Sequence, residues 1–226
     1  MRYLQGLGLI IVLLWQFTGM ANSAQTIGII VFDNVLTSDI TAPAEVFGIA
    51  SRKAWFSNYD VKLIGIERKS SVTTEEGLTL TVDATIFDNP VLDVILVPSA
   101  YDMAPLVNNR PLVNYIQHQS QHVQWLASNC SGAFILGAAG LLDGYRATTW
   151  AGGEKELQQT YPKINVVENQ NLVVDRNRLT SNGSLVSYQA ALVLLAKMSS
   201  EERAKEVFET LQMERLMNWG TVKSYL

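Results

Sequence analysis

The chain holds one cysteine, Cys130, in the stretch SNCSGAFILGAAGLLDG, where a short apolar run gives way to a helical pattern. A side chain at the tip of such a strand-to-helix turn points away from the sheet. Small neighbours, here Ser131 and Gly132, let the backbone bend, and the following helix offers free N–H groups and positive dipole potential. These features favour a thiolate, so the sequence leads us to expect a depressed thiol pKa and a nucleophile. The bland alternative is a small buried hydrophobe, a common place for free cysteine. The turn is specific where cysteine alone is not, and it favours the nucleophile. A lone cysteine closes no intramolecular disulfide, so oxidation leads only to a dimer, a mixed disulfide or a sulfur acid.

Few other residues offer chemistry. Asp39 lies in TSDITAP, which reads as the polar lead-in to a helix whose first turn accepts Pro43, so capping by Asp39 or Thr41 needs no catalysis. Ser131 is an ordinary helix-start residue, and Glu45 is assigned no role. The only histidines are His118 and His122. His122 precedes Cys130 along a nearly extended strand, which separates the two by roughly 25 Å and sets them at opposite ends of a sheet. A Cys-His-acid protease or amidase is therefore disfavoured. No His/Cys cluster has metal-ligand spacing, and the glycines at Gly132 and at Gly152–Gly153 lack phosphate-loop or dinucleotide spacing, so neither metal nor cofactor is expected. Trp150 is either a core aromatic or one wall of a small apolar pocket.

The elements that must position these residues are legible as alternation. TIGIIVF ending at Phe32, DVKLIGI ending at Ile66, DVILV ending at Val97 and HVQWLAS ending at Ser128 are short, apolar and rich in β-branched residues, the pattern of strands buried on both faces of a parallel sheet. Helical patterns run from Pro43 to Trp55 and from Pro111 to Gln119. The helix after Cys130, starting at about Ser131 with Gly144 as its stop, is apolar all round and belongs in the core. INVVENQNLVVDRNRLTS reads as short strands with a turn near Asn169 to Asn171. LVSYQAALVLLAKM and EERAKEVFETLQMERLM form two closing helices, the last on the surface. This order predicts an α/β protein with a doubly wound, mostly parallel sheet and helices on both faces.

The first residues, MRYLQGLGLIIVLLWQFTGMANSAQ, combine Arg2, an apolar run from Gly6 to Trp15 and small residues at Ala21, Ser23 and Ala24. That is the layout of a secretory signal peptide over residues 1–24, followed by one domain over 25–226, and the location it implies is periplasmic or secreted. The run stops short of the roughly 20 apolar residues a membrane span needs, so no stable span is expected after cleavage. The 17 Lys and Arg stand against 21 Asp and Glu, a net of −4, and loss of Arg2 makes the mature chain more acidic still. Such a balance disfavours nucleic acid as a partner. No helix-turn-helix pattern follows the closing helices within this sequence, and DNA binding is not expected.

With these motifs in place, SNCSGAFILGAAGLLDGYRATTW is similar to the nucleophile-elbow stretch of the ThiJ/PfpI superfamily. The branch it resembles is the one shared by isonitrile hydratases and the ligand domains of AraC-type regulators. VFDNVLTSDITAPAEVFGIA looks like that branch's opening strand and acidic loop, and the stretch from Asn171 to Ala191 resembles its closing strand and helix. The resemblance implies a flavodoxin-like fold, a homodimer and a small-molecule ligand or substrate. It makes Cys130 the nucleophile, Asp39 the carboxyl within hydrogen-bond reach of it, and Ser131 the neighbouring hydroxyl, in a pocket lined by Ala100 and Trp150. Two departures stand out. Ser99 and Ala100 occupy a place where many relatives carry a glycine pair, and Trp150 stands where a histidine is common. The resemblance implies a cysteine-dependent hydratase or lyase acting on an isonitrile- or carbonyl-like electrophile; a non-catalytic binding or thiol stress-sensing protein is the alternative.

N-terminal sequencing of the exported protein is expected to begin between Asn22 and Gln25; Met1 retained on membrane-bound protein would overturn the leader assignment.

Overall fold

The computed structural model describes residues 24–53 and 59–226; the leader assigned to residues 1–24 thus falls almost wholly outside the described residues. The strands in chain order are β1 (Gln25–Val31), β2 (Tyr59–Gly65), β3 (Ser71–Thr73), β4 (Thr79–Thr81), β5 (Ala84–Thr85), β6 (Val94–Val97), β7 (Trp125–Asn129), β8 (Arg146–Ala147), β9 (Asn165–Val166), β10 (Leu172–Asp175) and β11 (Arg178–Ser181). The α-helices are α1 (Thr37–Lys53), α2 (Ala104–Val107), α3 (Arg110–Gln119), α4 (Gly132–Ala138), α5 (Glu154–Thr160), α6 (Val186–Met198), α7 (Glu201–Thr210) and α8 (Trp219–Lys223). Among the described residues no helix is long and apolar enough to cross a membrane.

Seven strands form one sheet in the order β10-β11-β7-β6-β1-β2-β5, parallel throughout except for the antiparallel β10–β11 edge. The central strands are apolar because both faces are covered: Ile27, Ile29, Ile30, Val94, Ile95 and Leu126 are fully buried. Helices α1, α6 and α7 pack together on one face, and α3 and α4 on the other. The winding reverses between β1 and β6, the switch point of a flavodoxin-like order, where the connections diverge and leave a crevice beyond the carboxyl ends of the strands.

Two helix limits differ from the sequence reading. Helix α1 begins at Thr37, and Pro43 lies inside it. A proline there removes the N–H that would bond to the carbonyl four residues back, that of Asp39. The vacant bond is made by another element: Asn129 Nδ2, at the end of β7, donates to the Asp39 carbonyl at 3.2 Å. The helix entrance is served by Glu76 of the β3–β4 hairpin, which accepts from the Thr37 amide at 3.1 Å and from its hydroxyl at 2.5 Å, so Asp39 is not the cap. Helix α4 stops at Gly140 rather than Gly144. Gly140 has φ 69°, Leu141 N donates to Leu136 O at 3.0 Å and Gly140 N to Gly137 O at 2.9 Å, the paired bonds of a Schellman stop.

Helix α4 is the keystone of the elbow. Its residues from Gly132 to Gly137 are all buried, and the completely buried Ile135 and Leu136 each contribute roughly 1.5–3 kcal/mol relative to exposure. A Cβ at Gly132 would lie 2.2 Å from the Val97 carbonyl oxygen and 2.8 Å from that of Pro98. Both obstacles are backbone. Gly132→Ala is therefore expected to lower unfolding stability by about 3 kcal/mol, the upper end for overpacking, which urea denaturation followed by circular dichroism would measure.

Candidate active site

Four of the connections that leave the carboxyl ends of strands converge at the crevice, after β1, β6, β7 and β11. The β7 connection carries Cys130, whose φ of 50° is left-handed. For a non-glycine residue this conformation costs roughly 1–2 kcal/mol and persists only when its surroundings impose it. Here they do. Cys130 N donates to Ser181 O at 2.8 Å, Thr149 Oγ1 donates to Cys130 O at 2.8 Å, and Gly132 is clamped under the end of β6. From above comes the loop after β11. Gly183, at φ 77°, approaches so closely that a Cβ on it would lie 2.5 Å from the Cys130 Cβ and 3.0 Å from Asp39 Oδ1.

Asp39 is fully buried. Its Oδ2 accepts from the Ser99 amide at 3.2 Å and the Ser99 hydroxyl at 2.5 Å. Its Oδ1 accepts from the Ser184 amide at 3.0 Å and the Ser187 hydroxyl at 2.8 Å. The helix-capping interpretation of this residue is thereby overturned, because its side chain serves no α1 amide. Asn129 locks the arrangement from below: Ser181 Oγ donates to Asn129 Oδ1 at 2.6 Å, and Gly183 N donates to Ser181 Oγ at 3.2 Å.

Burial pushes the Asp39 pKa above the ordinary carboxylate value, partly offset by hydrogen bonds from Ser99, Ser187 and the Ser184 amide. Burial also pushes the Cys130 thiol up, the Asp39 charge adds to that, and the Ser99 hydroxyl with the Ser131 amide and hydroxyl pull the other way. This corrects the expectation of a depressed thiol pKa. Helix α4 has only seven residues, and its dipole does not outweigh desolvation plus a neighbouring negative charge. An ionised Asp39 carboxyl thus helps to hold the thiol proton in place. Among the described residues no hydrogen bond joins the carboxyl to the thiol. The direct contact inferred from the resemblance is replaced by Ser99, which bonds to the carboxyl and acts on the thiol.

The half-buried Cys130 opens on a cavity of about 520 Å³ lined by Leu36, Ala100, Tyr101, Met103, Ala104, Cys130, Ser131, Phe134, Trp150 and Glu156. Ala100, Ser131 and Trp150 are thus brought together with the thiol, while Asp39 lies behind it. The Ser131 hydroxyl donates to Ala100 O at 3.0 Å, which ties the start of α4 to the connection after β6, and its main-chain N–H acts on the sulfur. Trp150 stacks on Phe134 with centroids 5.2 Å apart at 26°, and Gly153 leaves room for its indole. His118 and His122 are exposed, 5.5 Å from each other, beside the opposite end of β7. Among the described residues no group of three or more His, Cys, Asp or Glu could hold a metal ion. Ser99 stood out only as a departure from a glycine pair, with no role assigned, and Asn129, Ser181, Gly183, Ser184 and Ser187 escaped the sequence reading. Of those five, only the residues in SNGS at 181–184, a polar turn between a strand and a helix, carried a local signal.

A mostly parallel sheet with a cysteine on a strained strand-to-helix turn at its carboxyl edge defines a flavodoxin-like α/β protein. The chain belongs to the DJ-1/PfpI family, whose model matches residues 25–197. It is 33% identical over 193 residues to the isonitrile hydratase of Pseudomonas putida, covering 84% of this chain and 78% of that one. It is 25% identical over 194 residues to the HTH-type transcriptional regulator GbdR of Pseudomonas aeruginosa, covering 86% of this chain and 52% of the regulator; the chain spans about half the length of that relative. Among solved structures, a ThiJ/PfpI family protein from Pseudomonas syringae superposes with a TM-score of 0.75 at 23% identity, over 85% of this chain and 76% of that one. Drosophila melanogaster DJ-1beta gives 0.73 at 17%, over 84% and 98%. These two likenesses establish the fold, and the family resemblance drawn from the motifs holds.

Because an ionised Asp39 raises the thiol pKa, Asp39→Asn is expected to move the midpoint of Cys130 alkylation by iodoacetamide to lower pH. An unshifted midpoint would mean that the two groups are not coupled.

Proposed function

We propose that the protein is a Cys130-dependent enzyme that adds water to a small electrophile of the isonitrile or reactive-carbonyl type. One observation carries this reading: a thiol held at φ 50° on the wall of a cavity of about 520 Å³, with a fully buried carboxyl acting on it. A cysteine that only filled space would gain nothing from a strained backbone, and the volume suits a small molecule. The 33% identity to an isonitrile hydratase supports the substrate class.

For an isonitrile R–N≡C the balanced sequence is short. The thiol adds across the terminal carbon, a C–S bond forms, and the proton ends on that carbon to give a thioimidate. Water then adds to the C=N bond, its oxygen on carbon and one hydrogen on nitrogen. Breakage of the C–S bond returns the second hydrogen to sulfur and releases the formamide R–NH–CHO. No step consumes an oxidant or reductant. In this scheme Cys130 is the nucleophile and Asp39 stores the thiol proton. The Ser131 amide stabilises negative charge on sulfur, Ala100 bounds the pocket, and Trp150 supplies an apolar wall. The reading includes a homodimer and export from the cytoplasm, as the resemblance and the leader imply.

A second reading, a binding or thiol-sensing protein without turnover, is favoured by the match to a transcriptional regulator and by a thiol pKa that is raised. Incubation with isonitriles, 2-oxoaldehydes and peroxide, followed by NMR of the small molecule and intact mass of the protein, separates the two. Isonitrile is expected to be consumed with release of formamide while the protein mass stays unchanged, and Cys130→Ala is expected to reduce turnover to background. A stoichiometric adduct or an oxidised sulfur without consumption would establish the sensing alternative.

A further inference from the structure

Ser99 is fully buried at the end of β6, where the family resemblance leads one to expect glycine. The β6–β7 ladder sets Val97 opposite Ser128, and carrying that register two residues further sets Ser99 beside Cys130. The Ser99 backbone is fixed on both sides: its amide donates to Asp39 Oδ2 at 3.2 Å, and its carbonyl accepts from Leu36 N at 2.9 Å. Its hydroxyl sits 2.5 Å from the same Oδ2, and the same hydroxyl acts on the Cys130 thiol. The other carboxylate oxygen is taken by Ser184 and Ser187, so the Ser99 side is the route left toward the thiol.

We propose that Ser99 relays the proton between Cys130 and Asp39, a role resting on the reading of Cys130 as the reacting residue. In one state the thiol faces Ser99 Oγ, and the Ser99 hydroxyl donates to the Asp39 carboxylate. On transfer the S–H bond breaks as a new Oγ–H bond forms, and the old Oγ–H bond breaks as Oδ2–H forms. Negative charge moves from carboxylate to sulfur, and no electron leaves the pair. In the second state protonated Asp39 donates to Ser99 Oγ, and the Ser99 hydroxyl donates to the thiolate, so the hydroxyl is satisfied in both. The Ser99 hydroxyl already stabilises charge on either partner. The other titratable groups nearby are Tyr101 and Glu156 on the cavity and, where α1 meets α6, Glu45, which accepts from Tyr188 at 2.8 Å. The charge that acts on the Cys130 thiol is that of Asp39.

The test is the second-order rate of Cys130 alkylation by iodoacetamide across pH, on the whole mature protein. Between its two ionisations the pair holds one proton, and a constant fraction of it exists as thiolate with neutral acid, so the rate runs level before rising with thiol ionisation. Ser99→Ala is expected to lower that plateau about ten-fold or more, the weight of one charge-assisted hydrogen bond, and Ser99→Thr to keep it within about three-fold. Ser99→Gly, which also lacks the hydroxyl, gives the same answer should Ser99→Ala not fold. Asp39→Asn is expected to remove the plateau. A plateau lost in Asp39→Asn but intact without the Ser99 hydroxyl overturns the relay alone, as does an equal fall in Ser99→Thr. A native Cys130 unreactive at every pH overturns both the relay and the function on which it rests.

Discussion

A carboxyl group with no exposure to water must find partners on every side, and the site is organised around that requirement. Asp39 draws its donors from two other connections, the one after β6 through Ser99 and the one after β11 through Ser184 and Ser187. Leaving a buried charge uncompensated costs several kcal/mol, so these segments cannot drift independently. Pro43 extends the constraint to a third connection. By vacating the Asp39 carbonyl it creates a place for Asn129, the residue just before the cysteine. One aspartate thus ties together the loops that meet at the topological switch of the sheet, through its side chain on two sides and its main chain on the third.

The same packing explains the state of the thiol. Gly183 closes over the Cys130 Cβ and Asp39 Oδ1, which brings backbone against both residues. In that setting burial and the Asp39 charge both make ionisation of the thiol harder. An exposed cysteine at a helix N-terminus would ionise more readily. The half-buried one holds its proton more tightly, with the Ser99 hydroxyl and Ser131 pulling the other way.

The architecture was legible in the sequence because it rests on long-range regularities. Runs such as TIGIIVF and DVILV are buried on both faces, and apolar patterning alone reveals them. Cys130 was legible because strand, small residues and helix follow one another within a few positions. What escaped was whatever depends on partners distant in sequence. TSDITAP has the composition of a cap, and only the fold shows Asp39 turned inward while Glu76, 39 residues from Thr37, serves the helix entrance. Asn129 and Asp39 are 90 residues apart, no local pattern distinguishes Ser187 from solvent-facing serines, and Ser99 stood out only as a departure from a glycine pair, with nothing to point it at Asp39. The β3–β4 hairpin has short polar strands without a clear period, and its place is set by Val72 in the core and by Glu76 at α1.

The absence of a histidine near the sulfur narrows the chemistry that such a pair can perform. Amide hydrolysis needs a base to activate the thiol and then an acid to protonate a departing amine, two tasks a neutral imidazole performs in turn. A carboxyl held in the interior by four hydrogen bonds cannot move to a leaving group. Electrophiles that accept sulfur and a proton together ask less of the site, because addition expels no group. Isonitriles and reactive carbonyls are of that kind. On the proposed reading, replacement of the histidine by Trp150 removes one class of reaction while leaving the thiol, the acid and an apolar wall suited to another.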